Sequence, residues 1–292
     1  MPAPLTFLDL FCGCGGFSLG LQRAGLKGLA AIDFNPEAIQ VFRANFEDIP
    51  HVLERDLTRF SPVELEAVIG TSEVDLIVGG PPCQGFSTAR QVDGANHGER
   101  LKADPRRHLF REFLRFVAHF KPKVFVMENV LGIRSASGGT YFSKVQSEAR
   151  ALGYRVHAQI EDCVKLGVPQ KRRRQLFIGT REELSGYFKS ELKPAQRAVT
   201  GATLWDAIGD LPPLKSGAGE EDCEYDVLHR FKMLPLMSSG YLFDVLEVKM
   251  AASLTAHRAR PHSERDLRDF KLLKEGESSA EAMRRSVEFE FP

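Results

Sequence analysis

Cys83 lies in the run Gly79-Gly80-Pro81-Pro82-Cys83-Gln84-Gly85-Phe86-Ser87, behind two prolines and ahead of a glycine-containing loop. The preceding Val74-Asp75-Leu76-Ile77-Val78 is short and apolar. That is the pattern of a central strand in a parallel sheet, and the functional loops of such sheets follow the carboxyl ends of the strands. Two adjacent prolines fix φ and stop the strand, so a stiff turn presents the cysteine. Taken alone, a cysteine beside an apolar strand reads as a small buried hydrophobe. Its companions point instead to a nucleophile. Val126-Met127-Glu128-Asn129-Val130 puts a carboxyl group at the carboxyl end of another strand, on the same sheet edge as Cys83. A desolvated acid there can donate to a substrate ring nitrogen, whereas the ordinary reading is a solvated strand-end glutamate. Pro169-Gln170-Lys171-Arg172-Arg173-Arg174 adds guanidinium groups; Arg172 and Arg174, two apart in extended chain, share a face from which to brace an acid or a carbonyl oxygen.

A second constellation sits nearer the N-terminus. Phe11-Cys12-Gly13-Cys14-Gly15-Gly16-Phe17-Ser18 falls at the first strand-to-helix turn, where glycines admit a ligand close to the backbone and the following helix offers free amides. Asp33 closes the second strand, where an acid can hydrogen-bond ribose hydroxyls. Ser18 stands where the third glycine of the dinucleotide fingerprint would fall, which disfavours a nicotinamide or flavin cofactor without excluding it.

The elements that must position these residues alternate. Strands are expected over 6–11, 28–32, 74–78, 124–127, 155–161 and 175–179, and helices over 18–24, 36–46, 62–69, 109–120 and 141–152. Such alternation predicts an α/β doubly wound sheet with helices on both faces. The segment 84–107 is polar and aperiodic, as a closing loop would be. After Leu211-Pro212-Pro213-Leu214 the composition shifts to a polar, glycine-containing stretch, so a first domain over 1–211 and a smaller region over 212–292 are expected. The latter has too little patterning for its fold to be assigned.

With 292 residues, 43% of them hydrophobic, the chain can bury a sizeable core, and it has no run long enough to span a membrane. The N-terminus lacks the basic start and apolar core of a signal peptide, and the five cysteines have no paired spacing; both point to a reducing cytoplasm and neither to a structural metal. Lysine plus arginine equals aspartate plus glutamate at 39 each, which is not the strongly basic footprint of a self-sufficient nucleic-acid binder. Arg258, Arg260, Arg265 and Arg268 are interleaved with acids and read as solvated surface.

Phe11 to Gly16, Pro82-Cys83-Gln84, Glu128-Asn129-Val130 and Gln170 to Arg174, in this order, resemble the F-x-G-x-G-G, P-C-Q, E-N-V and Q-x-R-x-R motifs of the cytosine-5 DNA methyltransferase family. The resemblance covers about two-thirds of the chain. It implies a Rossmann-like class I methyltransferase sheet, S-adenosylmethionine as cofactor and double-stranded DNA as substrate. It also implies Phe11 and Phe34 against the adenine, Asp33 on the ribose, and Asp56 near the adenine amino group. Gly13, Gly15, Gly16, Leu57, Pro81 and Leu109 line the remainder of the pocket, with Cys83, Glu128, Arg172 and Arg174 as the catalytic set. Methylating carbon 5 of cytosine requires prior addition at carbon 6, which Cys83 as a thiolate would make, and the base must leave the duplex for that chemistry.

The family's closing G-N-x-V motif does not occur in these 292 residues, and 254–276 looks like the opening of a recognition region. An incomplete C-terminal appendage is therefore expected, as in two-subunit members whose second polypeptide supplies recognition and the closing motif, or as in a truncated form of a single-chain member. Two other readings stay open: a catalytically silent cofactor- or DNA-binding module, and an enzyme acting on tRNA, although the Cys-Phe-Thr signature of that branch is absent.

Overall fold

The computed structural model describes residues 3–82, 108–181, 201–248 and 253–290. The chain divides into two compact units, Met1–Asp162 with Arg173–Leu192, and Cys163–Arg172 with Lys193–Pro292.

The first unit is built on seven strands: β1 (Thr6–Leu10), β2 (Lys27–Asp33), β3 (His51–Glu54), β4 (Leu76–Gly79), β5 (Val124–Asn129), β6 (Tyr154–Asp162) and β7 (Arg173–Arg181). Their order is β3-β2-β1-β4-β5-β7-β6. The first five run parallel, and β7 inserts antiparallel between β5 and β6. Strand order therefore reverses between β1 and β4, which is where open α/β sheets place their ligands. One row crosses the sheet at this rim: Leu53 pairs with Ile32, Ile32 with Leu10, Leu10 with Gly79, Gly79 with Met127 and Met127 with Phe177. The residues after this row, Phe11, Asp33, Gly80 and Glu128, leave the strands or complete them side by side. Gly79 is required for the close approach of β4 to β1, since a Cβ there would lie 2.2 Å from the Leu10 carbonyl oxygen.

Alternation along the strands divides the core into two layers. Leu8, Leu10, Ala30 and Ile32 face α3 (Pro62–Ile69), α4 (Leu109–Phe120) and α5 (Thr140–Ala151), whereas Phe7 and Ala31 face α1 (Gly16–Arg23) and α2 (Pro36–Asn45). Helix α2 starts at Pro36, with the Asn35 side chain accepting from the amides of Glu37 and Ala38. Helix α3 starts with a capping box between Ser61 and Glu64 and ends at Gly70 in the left-handed region. Helix α4 buries Phe110, Phe113, Phe116, Val117 and Phe120 along one face. Each such ring stabilises the fold by about 1.5–3 kcal/mol, and Phe113 meets Phe125 edge-on at 5.9 Å.

The expected elements of this unit are present, with one strand added and several strand ends shifted. The short edge strand β3 carries only Val52 and Leu53 as apolar residues, too few to produce a strand signal. Strands β6 and β7 extend beyond 155–161 and 175–179 because Arg173 and Arg174 pair across from Asp162 and Glu161; charges that read as loop in sequence belong to a ladder.

The second unit holds a two-stranded antiparallel sheet of β8 (Gly219–Cys223) and β9 (Leu254–Arg258). Its helices are α6 (Leu204–Ile208), α7 (Val227–Met233), α8 (Tyr241–Asp244), α9 (Glu264–Leu272) and α10 (Ser279–Arg285). Buried polar groups organise it. Arg230 donates from Nε to Asp210 Oδ2 at 3.0 Å, with both side chains at most 2% exposed, and its guanidinium lies 3.8 Å from the Tyr225 ring centroid. The Asp206 carboxylate accepts from the Ser238 and Ser239 amides and from the Thr203 amide and hydroxyl, with the Thr203 bonds first among the causes that hold it well below the usual carboxylate range. Removing one partner of a buried pair strands the other charge, so Arg230→Ala is expected to cost about 3–5 kcal/mol. The check is urea denaturation followed by a probe in this unit; a loss below about 1 kcal/mol would contradict the pairing. No helix among the described residues is long and apolar enough to cross a membrane.

Candidate active site

The glycine turn after β1 is set by backbone sterics. Phe11, Gly13 and Gly15 have φ of +58°, +53° and +94°, so the chain reverses through the left-handed region within five residues. The glycines do different work. A Cβ on Gly13 would meet nothing within 4 Å, leaving open space over the turn, whereas one on Gly15 would lie 2.2 Å from the Phe46 ring. Helix α1 begins at Gly16 with Gly15 in the capping position, and Gly15 has no side chain with which to cap it. Asp33 holds the turn from the end of β2: Oδ2 accepts from the Gly13 amide at 2.9 Å and Oδ1 from the Asn35 amide at 2.9 Å. Each oxygen retains a second lone pair for a ligand hydroxyl. Gly15→Ala combines backbone strain with a ring collision, so a loss of about 1–3 kcal/mol in stability is expected, together with weaker ligand binding at the turn. Thermal denaturation checks it; an unchanged midpoint would show that Phe46 gives way freely.

The other residues expected at this rim are placed as follows. Phe34 is largely exposed beside Asp33. The Asp56 carboxylate accepts from the Thr58 amide and hydroxyl at 2.9 and 2.8 Å, and the amide bond leads in holding it below the ordinary carboxylate range. Leu57 is packed in the core, and its carbonyl accepts from Arg115 Nη2 at 2.5 Å. Leu109 is half-buried at the start of α4.

Where β4 leaves the sheet, Gly80 passes so close to Glu128 that a Cβ on it would lie 3.3 Å from Oε2. Pro81 is buried, and its carbonyl accepts from Nδ2 of the buried Asn129 at 3.2 Å. Strand β5 runs two residues further than the expected 124–127, so Glu128 is held within it. Glu128 stands opposite Leu176, and Arg174, two residues before Leu176, shares that face. Arg174 Nε lies 2.5 Å from Glu128 Oε1, an ion pair with both side chains about three-quarters buried (22% and 25% exposed). Arg172 precedes β7, and its carbonyl accepts from the Cys163 amide. Cys83 and the segment 84–107 lie outside the described residues; Pro82 is the last described residue before them.

Three features of the rim were not legible as site features in the sequence. Asn129 anchors the Pro81 carbonyl. Gln175, fully buried, accepts from Arg134 Nη1 at 2.8 Å and donates to the Gln159 and Leu176 carbonyls, tying the turn after β5 to β7. Asp9, in the middle of β1, is fully buried and accepts from the Ser18 hydroxyl at 2.7 Å. The available signal was a charged residue inside an apolar central strand, which must be satisfied or neutralised. Cys12, by contrast, is chemically quiet: burial first, then the Asp9 and Asp33 charges, push its thiol up, so it is held as the neutral form and not as a nucleophile.

The family model described as C-5 cytosine-specific DNA methylase matches residues 5–240. Type II methyltransferase M1.HphI of Haemophilus parahaemolyticus is 38% identical over 235 residues, covering 80% of this chain and 60% of that protein. M.DdeI of Desulfomicrobium norvegicum is 36% identical over 279 residues, covering 94% and 62%. M.AquIA of Picosynechococcus sp. is 34% identical over 233 residues, covering 70% of this chain and 88% of that protein. The chain thus spans about three-fifths of the length of the first two relatives. A solved E. coli structure described as a prophage-encoded DNA modification methyltransferase superposes with a TM-score of 0.62 at 28% identity, covering 76% of this chain and 59% of that one. With the strand order, the glycine turn and the Glu128–Arg174 pair in place on one rim, and a family match across most of its length, the chain belongs to the C-5 cytosine-specific DNA methylases.

Proposed function

We propose that the protein methylates carbon 5 of cytosine in double-stranded DNA, using S-adenosylmethionine and a transient covalent bond from Cys83 to a base turned out of the helix. The observation that supports this most is the meeting of the β4 exit with the Glu128–Arg174 pair: Gly80 and Pro81 run against Glu128 and Asn129, with Pro82 alone between Pro81 and Cys83.

The rim fits the cofactor. Gly13 leaves open space over the turn, the Asp33 carboxylate has lone pairs for ribose hydroxyls, and Phe11, Phe34, Asp56, Leu57, Pro81 and Leu109 complete the proposed pocket. When bound, S-adenosylmethionine supplies an electrophilic methyl group on a sulfonium. The protein's own residues prepare the acceptor. Cys83 loses its proton to solvent and adds as a thiolate to carbon 6, which moves electron density onto carbon 5 and nitrogen 3. Glu128 takes a solvent proton and passes it to nitrogen 3 as the ring gains basicity, and Arg174 aims the carboxylate and screens its charge until that moment. Once carbon 5 is methylated, nitrogen 3 returns its proton to Glu128, the carbon 5 proton leaves to solvent, the carbon–sulfur bond breaks and Cys83 departs as thiolate. Arg172 is proposed to brace a carbonyl oxygen of the substrate.

Turnover is further proposed to need a G-N-x-V element absent from these 292 residues, whether on a continuation of this polypeptide or on a second chain. The test is incorporation of labelled methyl groups from S-adenosylmethionine into DNA and, separately, into tRNA, by the chain with and without a polypeptide carrying that element. Label in DNA as 5-methylcytosine supports the proposal. Label in tRNA alone, or cofactor binding without transfer in any mixture, overturns it.

A further inference from the structure

Asp9 is a polar group that the proposed chemistry leaves unused. Its sheet neighbours are apolar, Ala31 on β2 and Val78 on β4. Neither Asp9 nor Ser18 is exposed to solvent. Ser18, in the first turn of α1, donates its hydroxyl to Asp9 Oδ2 at 2.7 Å, so the carboxyl group ties the start of that helix, where Gly15 has no side chain to cap it, to β1. The other oxygen, Oδ1, is buried with no hydrogen-bond partner among the described residues. The titratable groups facing Asp9 from the surrounding elements are Asp33 from β2 and the Cys12 thiol from the turn, and neither is a cation.

We propose that Asp9 is a positioning residue acting through Ser18, a proton-linked latch beneath the glycine turn that is drawn into its ionised form, with release of a proton, when a cationic ligand binds the turn. The inference rests on reading that turn as the S-adenosylmethionine site. An ionised carboxylate holds the Ser18 hydroxyl more strongly than a neutral carboxyl group does, which firms the start of α1 and the turn before it. Positive charge on the ligand favours the anion in this low-dielectric position. Burial, the largest cause, pushes Asp9 up to about 7, with Ser18 opposing and Asp33 reinforcing, so the transition falls in the neutral range.

The sign follows. If the ligand prefers ionised Asp9, affinity rises with pH, levels off above the transition, and weakens below it by up to about tenfold per pH unit. The same group makes the free protein less stable as pH rises from the unfolded value of 3.8 through about 7, because ionisation is harder in the folded state.

Isothermal titration of the full chain with S-adenosylmethionine between pH 5.5 and 8.5, in buffers of different ionisation enthalpy, tests this. The expected result is an affinity that tightens by about fivefold or more across pH 6 to 8 with net proton release. S-adenosylhomocysteine, which carries the same amino acid group without the sulfonium charge, is expected to show a smaller pH dependence. Asp9→Asn removes the proton-linked step, and its thermal midpoint gains on wild type as pH rises. Ser18→Ala moves the step to higher pH, which tests the latch even if Asp9→Asn fails to fold. A pH-independent affinity in wild type, or a pH profile unchanged in both variants, overturns the latch while leaving the cofactor site standing. Absence of binding at every pH overturns the cofactor reading and the latch with it.

Discussion

Cys83→Ser is expected to lower methyl transfer by about a thousandfold or more, with binding of S-adenosylmethionine and DNA retained. The serine hydroxyl occupies nearly the same volume but is scarcely ionised at neutral pH, so addition to carbon 6 loses its nucleophile while the turn geometry set by Pro81 and Pro82 stays the same. The decisive measurement is covalent trapping on DNA containing 5-fluorocytosine, in which carbon 5 carries fluorine and the final elimination cannot occur. Wild-type chain, with the G-N-x-V polypeptide if that is needed for turnover, is expected to form a denaturant-resistant adduct, and the serine variant none. An adduct of equal yield in the variant would remove Cys83 from the mechanism. The four other cysteines provide the contrast: Cys12 is held as a neutral buried thiol, so Cys12→Ala is not expected to abolish the adduct.

Glu128→Gln is expected to lower the rate of the chemical step by about 10²–10⁴-fold. The amide is close to isosteric, so the packing of Gly80 against position 128 is preserved, but glutamine can neither carry a proton to nitrogen 3 nor neutralise the Arg174 guanidinium 2.5 Å away. Two deficits therefore combine, and they are separable. Arg174→Met in the glutamine background removes the uncompensated cation, which recovers stability but not rate. Single-turnover kinetics with saturating DNA and cofactor report the chemical step without product release. A rate within about fivefold of wild type would show that solvent, and not this carboxylate, serves the ring nitrogen.

The order of strands and helices was legible along most of the first unit because a parallel sheet covered on both faces demands short apolar strands between amphipathic helices, and each leaves a periodic trace. The motifs were legible for a related reason: glycines where φ must be positive and prolines where a strand must stop are local requirements, met by residue type alone. The second unit was not legible. Its order depends on Asp210 with Arg230 and on Asp206 with the 238–239 backbone, pairs 20 and 32 or more residues apart that look like ordinary surface charges in sequence.

Sequence alone therefore determined which side chains are available for chemistry and at which strand ends they emerge, because backbone stereochemistry acts over a few residues. Tertiary structure decided which of them meet. The insertion of β7 antiparallel beside β5 selects Arg174 as the partner of Glu128. The close passage of β4 over Leu10 brings the Pro81 turn to the same rim. The packing of α1 on β1 buries Asp9 and sets its proton affinity. Distances and dielectric surroundings are properties of chain segments brought together in space, and residue order alone does not specify them.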